Sequence, residues 1–171
     1  MAADVPSDLP NAVLFACNLN RVRSPMAEAI LKLAVGTDLY VDSCGLELPA
    51  DAAEADTATL AADPFTQTVI AELGYDLSPH RAKTFDDLED TSFDLVVALT
   101  PESHQRAIAL ARGRAADIEY WPILDPTVVE GSRDARLAAY RQVRDELARR
   151  ISRRFGTPLP APIDLAPPGA L

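Results

Sequence analysis

The sequence has few of the residues that build disulfide frameworks and metal sites. Among its 171 residues only two are cysteine and two are histidine. The cysteines, Cys17 and Cys44, form no C-x-x-C pair and no spacing typical of paired metal ligands. We therefore expect no disulfide framework, no metal site and no cofactor, and we expect a reducing compartment.

Positive charge and long apolar runs are also scarce. The formal net charge is −10, which argues against nucleic acid as a partner. No segment has the pattern of a signal peptide, and no apolar run approaches the length of a membrane span. We therefore expect a cytoplasmic protein without a membrane partner, and any site for an anion must attract it by local geometry.

The length predicts a single domain with its own core. We expect a loose leader over residues 1–11 and one domain over residues 12–155. Residues 156–171 are expected to form a proline-rich tail, because five prolines after Thr157 prevent helix formation there.

Strand and helix patterns alternate along the chain, which predicts an α/β fold with a parallel sheet. The near-continuous apolar run 93–99 is typical of a strand covered on both faces. The segment 46–63 gives no clear prediction. Strands are predicted at 12–16, 39–43, 93–99 and 118–124, and helices at 24–35, 64–73, 84–88, 101–111 and 131–154.

One short segment carries most of the functional information. Cys17 and Arg23 are six residues apart, between an apolar strand and a helix that we expect to begin with Ser24 as its cap and Pro25 as its first residue. A loop between a strand and a helix N-terminus binds anions through its N–H groups and the helix dipole. That field favours a nucleophilic thiolate at Cys17, and the planar guanidinium of Arg23 can hold two phosphate oxygens.

A proton donor is predicted after the last strand. Strand ends in an open parallel sheet face one crevice, so Asp125 is expected on the same edge as Cys17. A carboxylic acid there can protonate a leaving alkoxide or phenolate. Simple turn chemistry explains the pair Asp125-Pro126 equally well.

Several spaced segments together resemble the low-molecular-weight protein-tyrosine phosphatase family, which also includes thiol-dependent arsenate reductases. The similarity runs in order from about residue 13 to residue 151. The matching segments are the loop and helix start 17–28 (family pattern C-x-G-N-x-C-R-S-P-x-A-E), the strand and turn 41–45, the stretch 74–82 (G-x-x-x-S-x-H-x-A), the strand 93–99 and the pair Asp125-Pro126.

The resemblance implies a flavodoxin-like three-layer sandwich around a mostly four-stranded parallel sheet, forming a single phosphatase-like catalytic domain. It implies that Cys17 attacks phosphorus, that Asp125 acts as acid and then as base, and that Arg23 stabilises the transition state. The implied phosphate-binding loop comprises Asn18, Leu19, Asn20, Arg21, Val22 and Ser24. The implied network that holds the loop and the thiolate comprises Asn20, Ser24, Ser43 and His80.

The sequence departs from the family pattern at the walls of the site. Leu19 stands where the family has glycine, and Val22 replaces a second loop cysteine. Thr127 follows Asp125-Pro126 where many relatives have an aromatic residue, and no aromatic residue for the pocket wall is evident after the second strand. These departures concern the preference for phosphotyrosine more than the phosphate chemistry. Cys44 is expected to be a small apolar filler.

Three functions remain open from the sequence. The first is a monomeric phosphomonoester hydrolase, a protein-tyrosine phosphatase acting through a phosphocysteine on a phosphorylated protein or small phosphomonoester. The second is an arsenate reductase that uses an external small thiol, because no cysteine follows Cys44. The third is a phosphate-binding regulator with little turnover, which the presence of Cys17, Arg23 and Asp125 together disfavours.

Overall fold

A four-stranded parallel sheet forms the centre of the molecule. The computed structural model describes residues 9–50, 57–89 and 92–161. The strands are β1 (Ala12–Ala16), β2 (Tyr40–Cys44), β3 (Leu95–Ala98) and β4 (Asp117–Tyr120). Their order is β2-β1-β3-β4, and every neighbouring pair is parallel. The predicted fold class, an α/β sandwich with a four-stranded parallel sheet, is confirmed.

Helices lie on both faces of this sheet. They are α1 (Arg23–Val35), α2 (Thr57–Leu60), α3 (Pro64–Ala71), α4 (Pro101–Ala111) and α5 (Arg133–Phe155), with 3-10 turns at Phe85–Asp87 and Pro126–Val128. The predicted bounds of α4 are correct, and those of α1, α3 and α5 are correct to within two residues. The short helix α2 lies within the segment 46–63, where no element was predicted.

The alternation of side chains along β1 divides the core into two layers. Val13 and Phe15 belong to the larger cluster, which also holds buried residues of α1, α3 and α5. Leu14 and Ala16 belong to the smaller cluster, with Phe85 and with Ala107 of α4. Both faces of the sheet are therefore covered, which explains the apolar character of its central strands.

The parallel register brings the carboxyl ends of all four strands to one edge. Ala16 pairs with both Cys44 and Ala98, and Ala98 pairs with Tyr120. The segment that follows β1 begins with Cys17, whose backbone N–H donates to the carbonyl of Cys44 at 3.1 Å. The chemistry predicted for Cys17 is thus placed where ligands bind in open α/β sheets.

Two local predictions are wrong. The last strand ends at Tyr120 rather than at residue 124, because its partner β3 ends at Ala98. Beyond that point the N–H groups of Trp121 and Ile123 still donate to the carbonyls of Ala98 and Leu99. Ser24 does not cap α1 and Pro25 is not its first residue, because the helix begins at Arg23 with no side-chain cap, which makes Pro25 its third residue. The hydroxyl of Ser24 is unavailable for capping because it contacts the sulfur of Cys17.

Some predictions fall outside the described residues. Residues 1–8 of the predicted leader and residues 162–171 of the predicted tail lie outside them, as do residues 51–56. Within the described ranges, no helix has the length and apolar character needed to cross a membrane.

Candidate active site

A cavity of about 290 Å³ opens at the carboxyl edge of the sheet. Its lining includes the three residues predicted to carry the chemistry, Cys17, Arg23 and Asp125. The other lining residues are Asn18, Leu19, Arg21, Val22, Glu47, Asp63 and Thr127. Asn20 and Ser24 do not line the cavity and are fully buried below the loop.

The thiol of Cys17 lies at the base of the cavity and receives a hydrogen bond from below. Its Sγ is 2.9 Å from Oγ of Ser24, which itself accepts a hydrogen bond from the amide of Asn20 at 2.8 Å. The hydroxyl proton of Ser24 is therefore free to be donated, and the sulfur is nearer than the alternative acceptor, the Cys44 carbonyl at 3.4 Å. A hydroxyl at this distance can stabilise negative charge that develops on the sulfur during a reaction.

The amide of Asn20 links this bond to a buried carboxylate. Its second N–H donates to Oγ of Ser43 at 2.9 Å, and the Ser43 hydroxyl donates to Glu28 at 2.5 Å. The amide of Asn20 and the hydroxyl of Ser43 thus have their protons assigned, and the Ser24 hydroxyl has its proton available for Cys17 at 2.9 Å or for the Cys44 carbonyl at 3.4 Å. The two serines and Asn20 belong to the predicted network, whereas sequence reasoning gave Glu28 no role.

The backbone of Asn20 adopts a left-handed conformation that the fold must hold. Its φ is 57°, and among described non-glycine residues it alone has a positive φ. Nε2 of His80 donates to its carbonyl at 2.8 Å, and the backbone N–H of Lys83 donates to its Oδ1 at 3.1 Å. Asparagine tolerates this conformation. The residue with a left-handed backbone is Asn20 and not Leu19. The loop can therefore form although Leu19 stands where the family has glycine.

The ring of His80 is held in a buried position by the same contact. Burial lowers the pKa of His80, while the hydrogen bond to the Asn20 carbonyl and the charge of Glu28 act in the opposite direction. A neutral ring with its proton on Nε2 satisfies the carbonyl. The structure thus places His80 against the loop, where the resemblance implied it.

Gly45 allows the end of β2 to approach the loop, a role that the sequence did not reveal. A Cβ at this position would lie 2.7 Å from the carbonyl oxygen of Asn18 and 2.9 Å from the backbone nitrogen of Asn20. The next two residues, Leu46 and Glu47, donate their backbone N–H groups to the same Asn18 carbonyl at 2.8 and 3.2 Å. Only glycine fits this approach without moving backbone atoms.

Arg23 spans the distance from the loop to the segment after β4. Its Nη1 donates to the carbonyl of Ile123 at 3.0 Å, and its Nη2 is 4.0 Å from Oδ2 of Asp125. The guanidinium is thus held over the cavity beside the predicted acid. Arg21, on another wall, donates from Nε to the carbonyl of Ala61 at 2.9 Å.

The carboxyl group of Asp125 is oriented by its own turn. Oδ1 accepts from the backbone N–H of Thr127 at 2.9 Å and from its hydroxyl at 2.7 Å, which leaves Oδ2 on the side of Arg23. Asp125 therefore stabilises its own turn and also lines the cavity. Thr127, noted in the sequence only as a missing aromatic residue, fixes the carboxylate.

Sequence reasoning did not identify two further acidic residues that line the cavity, Asp63 and Glu47. Asp63 caps α3 by accepting from the backbone N–H of Phe65 at 2.8 Å. Glu47 is exposed and follows Gly45 closely in the chain. The pair Asp63-Pro64 is a recognisable helix-start signal, but nothing local indicates that either carboxylate reaches the phosphate loop.

Comparison with known proteins decides the family. The model of the family described as low molecular weight phosphotyrosine protein phosphatase matches residues 12–157. The chain belongs to this family. In this family the chain is 30% identical to an arsenate reductase of Halalkalibacterium halodurans over 139 residues, which cover 81% of this chain and 91% of that protein.

Phosphatases of the family are also similar to this chain. The low molecular weight protein-tyrosine-phosphatase of Streptomyces coelicolor is 36% identical over 129 residues, covering 71% of this chain and 74% of that protein. The solved low molecular weight protein tyrosine phosphatase of T. tengcongensis superposes with a TM-score of 0.65 at 27% identity, over 85% of this chain and 97% of that one. The relatives of this chain within the family therefore include both phosphatases and arsenate reductases.

Proposed function

We propose that this protein is a phosphomonoester hydrolase, a protein-tyrosine phosphatase that acts through a phosphocysteine on Cys17. The observation that carries the proposal is that Cys17, Arg23 and Asp125 line one cavity. The hydrogen bond from Ser24 to the sulfur supports a thiolate at its base. Two solved relatives of the same fold are described as an arsenate reductase in the phosphate binding state and Vibrio vulnificus Wzb in complex with benzylphosphonate.

The first step forms the covalent intermediate. The sulfur of Cys17 attacks phosphorus, a sulfur–phosphorus bond forms and the bond from phosphorus to the leaving oxygen breaks. Protonated Asp125 gives its proton to that oxygen. Arg23 exchanges its bond to the Ile123 carbonyl for two phosphate oxygens and stabilises their charge in the transition state.

The second step returns the enzyme to its starting state. The carboxylate of Asp125 takes a proton from water, whose oxygen attacks phosphorus while the sulfur–phosphorus bond breaks. Inorganic phosphate leaves, Cys17 is again a thiolate and Asp125 is again protonated. The hydroxyl of Ser24 and the N–H groups of the loop stabilise the sulfur as it leaves.

Arsenate reduction is the second candidate, favoured by relatives described as arsenate reductases. Here the sulfur of Cys17 would attack arsenate and form a sulfur–arsenic bond while one arsenate oxygen leaves as water, and an external thiol would then attack that sulfur. Arsenic would leave as arsenite with the electron pair, and the resulting mixed disulfide would need a second thiol to restore Cys17. Cys44 is poorly placed as an internal reductant, since it packs in the core cluster on the opposite face of the sheet from Cys17.

Three substrates separate these functions. The purified protein is assayed with p-nitrophenyl phosphate, with a phosphotyrosine peptide, and with arsenate plus added small thiol. We expect release of phosphate from the first two without any thiol. Thiol-dependent reduction of arsenate with no phosphoester hydrolysis would contradict the proposal in favour of the reductase. Phosphate binding without either reaction would favour a regulator.

Variants of the loop test the assignment of the nucleophile. Cys17→Ser is expected to abolish hydrolysis while inorganic phosphate still binds, because the loop N–H groups and Arg23 remain. Arg23→Lys is expected to lose both activity and phosphate affinity, because an ammonium cannot reproduce the planar fork. Steady-state kinetics and calorimetric titration with phosphate measure these effects. Substantial turnover by Cys17→Ser would place the chemistry elsewhere.

A further inference from the structure

The walls of the cavity above the thiol lack the aromatic surface on which a phenol ring packs. Among the described residues that line it, none is aromatic. Three carboxylates are present instead, those of Glu47, Asp63 and Asp125, together with the guanidinium groups of Arg21 and Arg23. The charge of these walls, rather than ring stacking, is thus available to distinguish one phosphorylated substrate from another.

Most of these charges have partners within the protein. Arg23 and Asp125 face each other at 4.0 Å and serve the chemistry of the proposed function. Arg21 and Asp63 lie on one wall, joined by a hydrogen bond from the backbone N–H of Asp63 to the carbonyl of Arg21 at 2.9 Å. The side chain of Arg21 donates to the Ala61 carbonyl, and that of Asp63 accepts from the backbone N–H of Phe65, so both have hydrogen-bond partners in the protein.

Glu47 differs from the other four charged residues. Its side chain is exposed and makes no ion pair or hydrogen bond with any described residue. Its backbone, in contrast, is fixed, because its N–H and that of Leu46 both donate to the Asn18 carbonyl within the phosphate loop. The backbone therefore holds the carboxylate of Glu47 at the rim of the cavity. Among the described residues this carboxylate has no hydrogen-bond donor.

Exposed apolar side chains are neighbours in the chain of residues that line the cavity. Leu124, directly before Asp125, is 82% exposed, and Val128, directly after Thr127, is 73% exposed. Leu19 of the loop and Leu48 beside Glu47 are also among the exposed large apolar residues. A small phosphomonoester would not reach these side chains, whereas a polypeptide crossing the rim would cover them.

We infer that the site acts on phosphorylated residues in basic polypeptide segments, and that Glu47 reads a lysine or arginine beside the phosphorylated residue. The inference rests on the proposed phosphatase function. The net charge of −10 adds a long-range attraction for the same segments. An exposed ion pair supports a preference of about two- to fivefold in kcat/KM, expressed in KM more than in kcat.

Two phosphotyrosine peptides that differ only in lysine or glutamate next to the phosphorylated residue test this inference. We expect higher kcat/KM for the lysine peptide, a preference that disappears in Glu47→Gln and reverses in Glu47→Lys. The matched control is Asp38→Asn, which removes one exposed charge near the opposite end of the sheet and should keep the preference. Leu124→Ser should lower kcat/KM for both peptides.

Hydrolysis of p-nitrophenyl phosphate separates the two possible failures. It should be unchanged in Glu47→Gln and Leu124→Ser, because p-nitrophenyl phosphate has no neighbouring residue for Glu47 to bind and no polypeptide to cover Leu124. Equal rates for the two peptides, with normal p-nitrophenyl phosphate turnover, would overturn the inference and leave the phosphatase function standing. A preference that survives in Glu47→Gln would assign it to the overall charge and would also overturn the role of Glu47. No turnover of any phosphoester would contradict the proposed function itself.

Discussion

Asp125 is the side chain that we propose as proton donor in the first step of the reaction and as proton acceptor in the second. It lies in one cavity with Cys17, and the hydrogen bonds from Thr127 fix which of its oxygens faces Arg23. A general acid matters most when the leaving group is a poor one, because a stable phenolate leaves without a proton. The dependence on leaving group is therefore more informative than the loss of activity alone.

Asp125→Asn should slow the hydrolysis of phenyl phosphate by on the order of 10²–10⁴, with a smaller loss for p-nitrophenyl phosphate. Steady-state kinetics on a series of aryl phosphates measure this difference. Asp117→Asn removes the same charge at the other end of β4 and serves as the control. An equal loss across the whole series would refute the acid assignment.

Oxidation of Cys17 is expected to be poorly reversible. The position of the family's second loop cysteine is Val22, and the remaining thiol, Cys44, is fully buried. Burial raises the pKa of the Cys44 thiol, and the neighbouring Cys17 raises it further. A protonated thiol in the apolar cluster of the opposite face is a poor nucleophile for a sulfenic acid on Cys17.

Peroxide should therefore inactivate the enzyme through Cys17, with incomplete recovery when thiol is added late. Peptide mapping by mass spectrometry identifies the oxidised species, and Cys44→Ala should inactivate and recover as the wild type does. A dominant Cys17–Cys44 disulfide with full recovery on reduction would instead make Cys44 a resolving residue.

Packing between elements shapes the phosphate loop as much as its own sequence does. The end of β2 approaches the loop so closely that a methyl group on Gly45 would meet the Asn18 carbonyl. The loop between α4 and β4 contains a glycine of a different kind. Gly113 has a φ of +75° but open space around its missing Cβ.

Gly45→Ala should lower kcat/KM by on the order of 10²-fold, because displaced loop N–H groups no longer point at the phosphate. Gly113→Ala is the matched control, expected to cost about 1 kcal/mol of unfolding free energy through its left-handed backbone without changing kcat/KM. Phosphate titration and denaturant unfolding of both variants measure the two effects separately. Normal phosphate affinity in Gly45→Ala would show that the loop shape does not depend on this contact.

An ion-pair network joins the end of α3 to α5 and contributes to the stability of the whole molecule. Glu72, just after α3, bonds Arg141 and Arg144 of α5, and the Arg144 side chain is buried. Hydrogen bonds from these two guanidinium groups lower the pKa of Glu72 from 4.5 to about 2. A carboxyl group with a lowered pKa stabilises the fold above its unfolded-state pKa, and this contribution disappears as pH falls through the folded-state value.

Glu72→Gln should therefore lower the free energy of unfolding by about 0.5–1.5 kcal/mol at pH 7, since Arg141 loses its ion pair and Arg144 keeps only its pair with Asp145. The difference from the wild type should shrink as pH falls from about 4.5 toward 2. Urea unfolding at pH 7, 5 and 3 follows this trend, with Glu146→Gln, which breaks an exposed pair with Arg150, expected to cost less than about 0.5 kcal/mol. A pH-independent difference would assign the effect to packing rather than charge.

The local sequence determined most of the secondary structure and the core of the loop. Helix α4 was predicted with its correct bounds because Pro101 marks its start and the glycine at 113 follows its end. Cys17 and Arg23 could be joined in one site because a single tight loop connects them in the chain. Asp125 could be added because all parallel strands end at one edge, a rule of the fold rather than of any contact.

Other features depended on contacts between distant segments and were decided by the tertiary structure. The end of β4 depends on the end of its partner β3, and the close approach of Gly45 depends on the Asn18 carbonyl. Glu47 and Asp63 reach the cavity because β2 and α3 pack beside the loop. The sequence by itself determined which groups we propose for the phosphate chemistry, because one loop and one strand end carry them. Only the tertiary structure decided the walls of the pocket, because packing between elements far apart in the chain sets which side chains meet there.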